Sequence, residues 1–110
     1  MNPIYFTVTG TNYYYGNEYF KPEIKLHLIK EPDNKADKAA IRVELEGLGK
    51  VGYVANSPHS VIGNSYSAGR LYDKIGEAAE GKVLYVLPQG VLCTLLQGEE
   101  GENQEQGKKA

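Results

Sequence analysis

The feature that most limits the fold of this chain is a series of short segments in which apolar and polar residues alternate. The clearest is Glu23–Lys30, EIKLHLIK, where Ile24, Leu26 and Leu28 fall on one face. A period of two residues is the pattern of a β-strand that buries one side. A chain built from such segments is predicted to be mainly β.

Five further segments have the composition of strands, and turn residues separate them. They are Ile4–Thr9, Ala40–Glu46, Lys50–Ala55, Lys82–Leu87 and Val91–Leu96. The short glycine-containing connections at 47–49 and 88–90 predict two β-hairpins. Gly52 lies inside a predicted strand, which indicates a bulge or a close approach of another backbone segment.

Helical signals are few. Ser57 followed by Pro58 provides an N-cap and a first helical position, which predicts a short helix over His59–Asn64. A second helical or irregular segment is predicted at Arg70–Ile75. Six strands with one or two short helices and no strand–helix–strand rhythm favour a small β-barrel, either a modified OB-like barrel or an SH3-like barrel.

The length of 110 residues fits one domain. Residues 1–97 are predicted to form it, and the glycine- and glutamate-rich residues 98–110 are predicted to be a disordered polar tail because they offer almost nothing to bury. The tail contains four Glu and two Lys, which accounts for the whole formal charge of −2. The folded part is therefore neutral, and nucleic-acid binding would require a local cluster of cations.

The expected compartment is the cytoplasm. Cys93 is the one cysteine and lies in an apolar run, so no disulfide framework is implied. The N-terminus lacks the pattern of a secretory signal, and no apolar run approaches the roughly 18 residues that a membrane helix needs. We expect no membrane association.

The sequence offers little support for catalysis. His27 and His59 are far apart in the chain and accompany a single cysteine, which predicts no metal site. Burial would raise the pKa of Cys93 and suppress its reactivity. Asp33 and Asp37 fall in a turn, and no phosphate-binding glycine motif is present. We expect no enzymatic activity, no metal and no cofactor.

One group of residues does indicate binding. Tyr13, Tyr14 and Tyr15 follow the first strand in a glycine-bounded loop, and alternation cannot bury all three, so at least one should face solvent. Exposed tyrosines are stacking platforms for unpaired bases. The turn at 31–40 supplies Asn34 and Asp37, together with nearby lysines and Arg42.

The same segments resemble a HIRAN domain. The resemblance is carried by LIKEPDNKADKAAIRV at 28–43, by KVGYVA at 50–55 and by VTGTNYYYG at 8–16, and it extends over Val8–Val86. The later SAGRLYDKIG and GKVLYVLPQGVLCTL are similar to small bacterial proteins that contain little besides this domain.

The resemblance implies a modified OB-like barrel that binds single-stranded DNA at its free 3′ end, within DNA repair or processing and alongside other proteins. By position, the loop tyrosines would stack on bases, Asn34 would contact a base, Asp37 the 3′-hydroxyl, and three cations the phosphates. These residues are Tyr13, Tyr14, Asn34, Asp37, Lys30, Lys38 and Arg42. A carboxylate accepts a hydrogen bond from a hydroxyl and repels a phosphate, which agrees with the role implied for Asp37.

The sequence departs from the family pattern at two positions. Ala36 occupies the place of a second aromatic residue, and Asn12 the place of an arginine. Loss of one stacking partner costs roughly 1 to 3 kcal/mol. Asn34 and Asp37 also have a structural interpretation, since Asx side chains commonly stabilise their own turn. The alternative function is a protein-interaction or structural module that retains the fold without DNA-end binding.

Overall fold

A computed structural model describes residues 2–96 of the chain. The tail predicted over 98–110 lies outside the described residues. The secondary structure consists of strands β1 (Tyr5–Thr9), β2 (Lys25–Lys30), β3 (Ile41–Leu45), β4 (Gly49–Val54), β5 (Ala78–Leu87) and β6 (Gly90–Leu95), with a 3-10 helix at Thr11–Tyr13 and helix α1 at Ala68–Tyr72.

The six strands close into one antiparallel barrel in the order β1-β4-β3-β2-β5-β6, with β6 pairing back to β1. β3–β4 and β5–β6 are the two hairpins expected from the glycine-containing turns. The sequence-based expectation of a small OB-like or SH3-like barrel is therefore confirmed.

The barrel interior is filled by the alternate apolar residues of every strand. Leu26 and Leu28 of β2 are completely buried, as the alternating pattern predicted, whereas Ile24 lies before the strand and is 39% exposed. The fully buried apolar residues are Phe6, Val8, Leu26, Leu28, Ile41, Val43, Val51, Ala55, Ala68, Leu71, Val83, Val91 and Cys93. Helix α1 contributes Ala68 and Leu71 to this core.

The helix predicted over His59–Asn64 is wrong. Residues 58–60 form a turn, in which Ser60 and Val61 donate their N–H groups to the carbonyl of Ser57. The Ser57 hydroxyl accepts from the N–H of His59, so it caps this single turn. Gly63 has a positive φ of 54°, a left-handed conformation that ends any helical continuation.

The remaining boundaries shift by a few residues. Helix α1 begins at Ala68 rather than Arg70, because the Ser67 hydroxyl accepts from the N–H of Arg70 and acts as the N-cap. β5 begins at Ala78, four residues before the expected Lys82, because its first half pairs with β2 and its second half with β6. No helix within residues 2–96 has the length and apolar character required to cross a membrane.

Gly52 confirms the expected close backbone approach. A Cβ atom at this position would lie 2.8 Å from the carbonyl oxygen of Thr9 and 3.0 Å from a methyl group of Val8. A register shift also occurs in β3 opposite this region, between Val43 and Glu44. The missing side chain therefore allows β4 to pair with β1 at the base of the tyrosine loop.

Gly52→Ala is expected to destabilise the fold by about 1 to 3 kcal/mol, because the backbone oxygen of Thr9 cannot move aside without breaking the barrel. Urea denaturation would measure the free energy of unfolding. Gly76→Ala is the matched control, since its Cβ meets no atom within 4 Å. Equal stability of the two variants would contradict the role given to Gly52.

Candidate nucleic-acid interface

The tyrosine loop after β1 is held by its own polar contacts. Gly10 has a φ of 73°, which turns the chain out of β1 into the 3-10 helix. The Thr11 hydroxyl donates to the side-chain oxygen of Asn17 at 2.6 Å, and the Thr11 carbonyl accepts from the N–H of Gly16. Thr11 is buried, so the loop is anchored while its aromatic side chains point outward.

All three tyrosines of this loop reach solvent. Tyr13 is 87% exposed, whereas Tyr14 and Tyr15 are 38% and 47% exposed. The expectation that at least one would face solvent is confirmed. Tyr13 presents nearly its entire ring, and such a ring is available for stacking.

The turn that joins β2 to β3 is stabilised by Asn34 and Asp37. The Asn34 side-chain oxygen accepts from the N–H groups of Ala36 at 2.9 Å and of Asp37 at 3.0 Å. One Asp37 oxygen, Oδ1, accepts from the N–H of Ala39 at 2.9 Å. Both residues therefore perform the turn-stabilising role common to Asx side chains, and the turn holds them in a fixed geometry.

Asn56 fixes the second oxygen of Asp37. Its side-chain N–H donates to Asp37 Oδ2 at 2.9 Å, while its side-chain oxygen accepts from the N–H of Gly69 in α1 at 2.8 Å. One amide thus joins the turn, the end of β4 and the helix. The sequence analysis missed Asn56, although a polar residue directly after a strand is a detectable signal.

Glu31 is a half-buried carboxylate at the start of the same turn, with 17% of its side chain exposed. Oε1 accepts from the Asn34 amide at 3.0 Å and from the Tyr53 hydroxyl at 2.8 Å. Oε2 lies 3.4 Å from a guanidinium nitrogen of Arg42 and 3.8 Å from Lys50 Nζ. Glu31 therefore joins the turn to the outer faces of β3 and β4.

These contacts determine the pKa of Glu31. Burial alone raises the pKa, but hydrogen bonds from Asn34, Tyr53 and Arg42, together with the charge of Lys50, outweigh burial and hold the pKa below its ordinary value of 4.5. Burial also raises the pKa of Tyr53, which stays a neutral donor.

Lys50 connects this network to the tyrosine loop. Its ammonium group donates to the Tyr53 hydroxyl at 3.0 Å and lies 5.6 Å from the ring centroid of Tyr14. The two sequence-predicted elements, the tyrosine loop and the Asn34 turn, therefore lie on one side of the barrel. Lys50 and Tyr53 were also missed, although both occupy the outward positions of β4.

An open groove of about 530 Å³ runs beside this network. Alanine and valine side chains supply apolar surface, and amide, carboxylate and hydroxyl groups line its walls. The lining residues are Asn34, Ala36, Asp37, Ala40, Tyr53, Val54, Asn56, Ser57 and Ser60. Such a mixture of apolar surface and a few converging polar groups is typical of ligand sites.

The three cations predicted to contact phosphate have different surroundings. Lys30 donates to the Ile75 carbonyl at 2.9 Å and lies over the Tyr72 ring. Arg42 pairs with Glu44 at 2.7 Å and with Glu31. Lys38 is exposed and forms no ion pair with another residue of the 2–96 segment. Phosphate contact by these residues stays a prediction.

Cys93 and His27 do not line the groove. Burial raises the pKa of the Cys93 thiol to about 12, which agrees with the expected lack of reactivity. His27 pairs with Glu80 at 3.7 Å on the outer face of β2 and β5. Within residues 2–96, no three His, Cys, Asp or Glu side chains are grouped to hold a metal ion.

The sequence matches the family model of the HIRAN domain over residues 1–70. The chain belongs to the HIRAN family. This is a family of nucleic-acid-binding modules. The match contains both the tyrosine loop and the Asn34 turn, the segments on which the resemblance was based.

A solved structure confirms the fold of this HIRAN domain. It is similar to the crystal structure of the HIRAN domain of human HLTF, with a TM-score of 0.56 and 22% sequence identity, covering 86% of this chain and 74% of that chain. At 22% identity, this similarity shows a shared fold. No curated protein matches the chain.

Glu31→Gln is expected to destabilise this domain by about 1 to 3 kcal/mol at neutral pH, because it leaves Arg42 and Lys50 without their shared anion. The lowered pKa means that the ionised carboxylate stabilises the fold above pH 4.5, and that this contribution is lost as the pH falls through the folded-state value. Urea denaturation between neutral and acid pH should therefore show a smaller loss of stability on acidification in Glu31→Gln than in the wild type. Parallel curves would contradict the assignment.

Proposed function

We propose that this HIRAN domain binds single-stranded DNA at a 3′-hydroxyl end, with the terminal nucleotide in the groove beside Asp37. The observation that carries the proposal is the fixed Asp37 carboxylate in the groove wall. Two hydrogen bonds, from Ala39 and Asn56, hold its two oxygens. A carboxylate held in this way is pre-oriented for a ligand hydroxyl.

Asp37 keeps capacity for that contact. Its two oxygens offer about four acceptor positions, and the protein occupies two of them. The turn-stabilising role and the binding role are therefore compatible. A terminal 3′-phosphate would instead meet the Asp37 carboxylate, so charge repulsion would disfavour it.

The Asn34 amide is similarly part-occupied. Its oxygen already accepts from two N–H groups, and one N–H of its amide nitrogen donates to Glu31. The second N–H of that nitrogen is therefore the group that would contact a base. That group donates to a carbonyl oxygen or ring nitrogen of a base. Asn34 then acts as a donor toward the ligand.

The exposed tyrosines supply stacking energy. Tyr13 presents almost its whole ring, and Tyr14 lies beside Lys50, which in turn contacts the groove residue Tyr53. A strand that leaves the groove toward the loop would place bases on these rings, where each stacked base contributes about 1 to 3 kcal/mol. Lys38 and Lys50 are the nearby cations for its phosphates.

A second candidate function is a protein-interaction or structural module without catalytic activity. It is favoured by the pairing of Arg42 with two glutamates and by Ala36, which leaves the groove without a second stacking ring on the turn. For the DNA-binding module we propose a role in DNA repair or processing, alongside other proteins, and for either module a location in the cytoplasm.

The central prediction concerns the chemistry of the DNA end. Fluorescence anisotropy with a 5′-labelled single strand of about ten nucleotides, carrying either a 3′-hydroxyl or a 3′-phosphate, should show tighter binding of the hydroxyl end. Asp37→Ala should reduce the difference between the two ends, because both the acceptor and the repelling charge are lost. Tyr13→Ala should weaken binding of both ends by about 1 to 3 kcal/mol.

Tyr85→Ala is the matched control for Tyr13→Ala, since Tyr85 is 61% exposed on β5 and does not line the groove. It should bind as the wild type does. Absence of saturable binding to either end would leave the interaction module as the better proposal. Equal affinity for both ends would reject the role of Asp37.

Ala36→Tyr is expected to tighten binding of the 3′-hydroxyl strand by about 1 to 3 kcal/mol, because it adds an aromatic ring to the lining of the groove. Ala36 is exposed, so the larger side chain has room without disturbing the core. The same anisotropy titration measures the effect. Ala36→Leu distinguishes stacking from added apolar surface, and an equal gain in both variants would contradict stacking.

A further inference from the structure

Arg70 is an exposed arginine whose guanidinium group contacts the ring of a neighbouring tyrosine. Its central carbon is 4.1 Å from the ring centroid of Tyr66. The chain has two arginines, and the other, Arg42, is paired with Glu31 and Glu44. The Arg70 side chain makes no hydrogen bond or ion pair with any other residue of the described part of the chain.

The position of Arg70 relates it to the groove. Gly69, its neighbour in α1, donates its N–H to the Asn56 amide, and the same amide holds Asp37 in the groove wall. Two hydrogen bonds, of 2.8 and 2.9 Å, thus connect the backbone of Gly69, the residue before Arg70, to Asp37 at the proposed 3′-hydroxyl site. A second contact joins the end of β2 to the segment after α1, since the Lys30 ammonium group donates to the Ile75 carbonyl.

We propose that Arg70 binds a backbone phosphate of the same DNA strand, close to its 3′ end. The inference rests on the proposed function. Contact with the Tyr66 ring restrains the Arg70 side chain. Its guanidinium N–H groups form a fork that can bond two phosphate oxygens. A restrained arginine loses less conformational entropy on binding than a free surface lysine.

The surrounding charges suit one phosphate contact rather than a broad basic surface. Asp73 and Lys74 follow Arg70 at the end of α1, and their charges offset each other. The neutral folded part of the chain gives little long-range attraction for DNA. Arg70 therefore contributes through a direct contact.

The test measures how DNA binding depends on salt. Binding of the 3′-hydroxyl strand to wild type, Arg70→Gln and Arg70→Lys is titrated over a range of NaCl concentrations. Each phosphate contact on a single strand contributes roughly 0.7 to the slope of log K against log salt, so Arg70→Gln should reduce that slope by about this amount. Its affinity should fall several-fold at low salt, by the same factor for 3′-hydroxyl and 3′-phosphate strands.

Arg70→Lys retains the charge but loses the planar fork, so it should keep most of the slope with a weaker affinity. Lys82→Gln is the matched control, since Lys82 lies on β5 and pairs with Glu23 at 3.2 Å. It should leave the slope unchanged. Thermal denaturation of each variant establishes that the comparison is between folded proteins.

The outcomes separate this inference from the proposed function. An unchanged slope in Arg70→Gln, with the preference for the hydroxyl end intact, overturns the Arg70 contact alone. A reduced slope in Arg70→Gln, with no end preference in the wild type, supports the Arg70 contact and overturns the 3′-hydroxyl proposal. Absence of DNA binding by the wild type overturns both.

Discussion

The contacts of the ionised Glu31 side chain are the interactions on which the face that carries the groove depends. A carboxylate with only 17% of its side chain exposed needs compensation for lost hydration, and it receives this from three hydrogen-bond donors and the charge of Lys50. The four partners come from three parts of this face: Asn34 from the turn, Arg42 from β3, and Tyr53 and Lys50 from β4. Satisfying one carboxylate therefore fixes the relative positions of a turn and two strands.

Asn56 extends the same arrangement to the helix. Its side-chain N–H donates to Asp37, and its side-chain oxygen accepts from the N–H of Gly69 in the first turn of α1. Both ends of this short side chain are occupied, so it connects the groove wall directly to the helix. The groove is consequently built by side-chain bonds between elements that are distant in sequence.

The fold followed from local patterns, because alternation and glycine-containing turns act over a few residues. β2, the two hairpins and the close approach at Gly52 were predicted for this reason. The helix predicted at His59–Asn64 was wrong because an N-cap residue such as Ser57 can begin either a helix or a single turn. The left-handed conformation of Gly63, six residues further on, is compatible only with the turn. Tyr13, Tyr14, Asn34 and Asp37 were predicted from short motifs, and their binding roles stay predictions. Glu31, Asn56 and Tyr53 were missed because their contacts join segments that are distant in the sequence.

The closed barrel has one further consequence, which concerns partner proteins. β1 pairs with β6 on one side but with β4 over only two residue pairs on the other. The rest of that edge is filled by two other segments, since Ala55 and Tyr66 donate their N–H groups to the carbonyls of Thr7 and Tyr5. Within residues 2–96, β1 thus offers no free edge to an incoming strand, and β-augmentation there is disfavoured. A peptide partner at this edge would have to recognise the domain through side chains and loops.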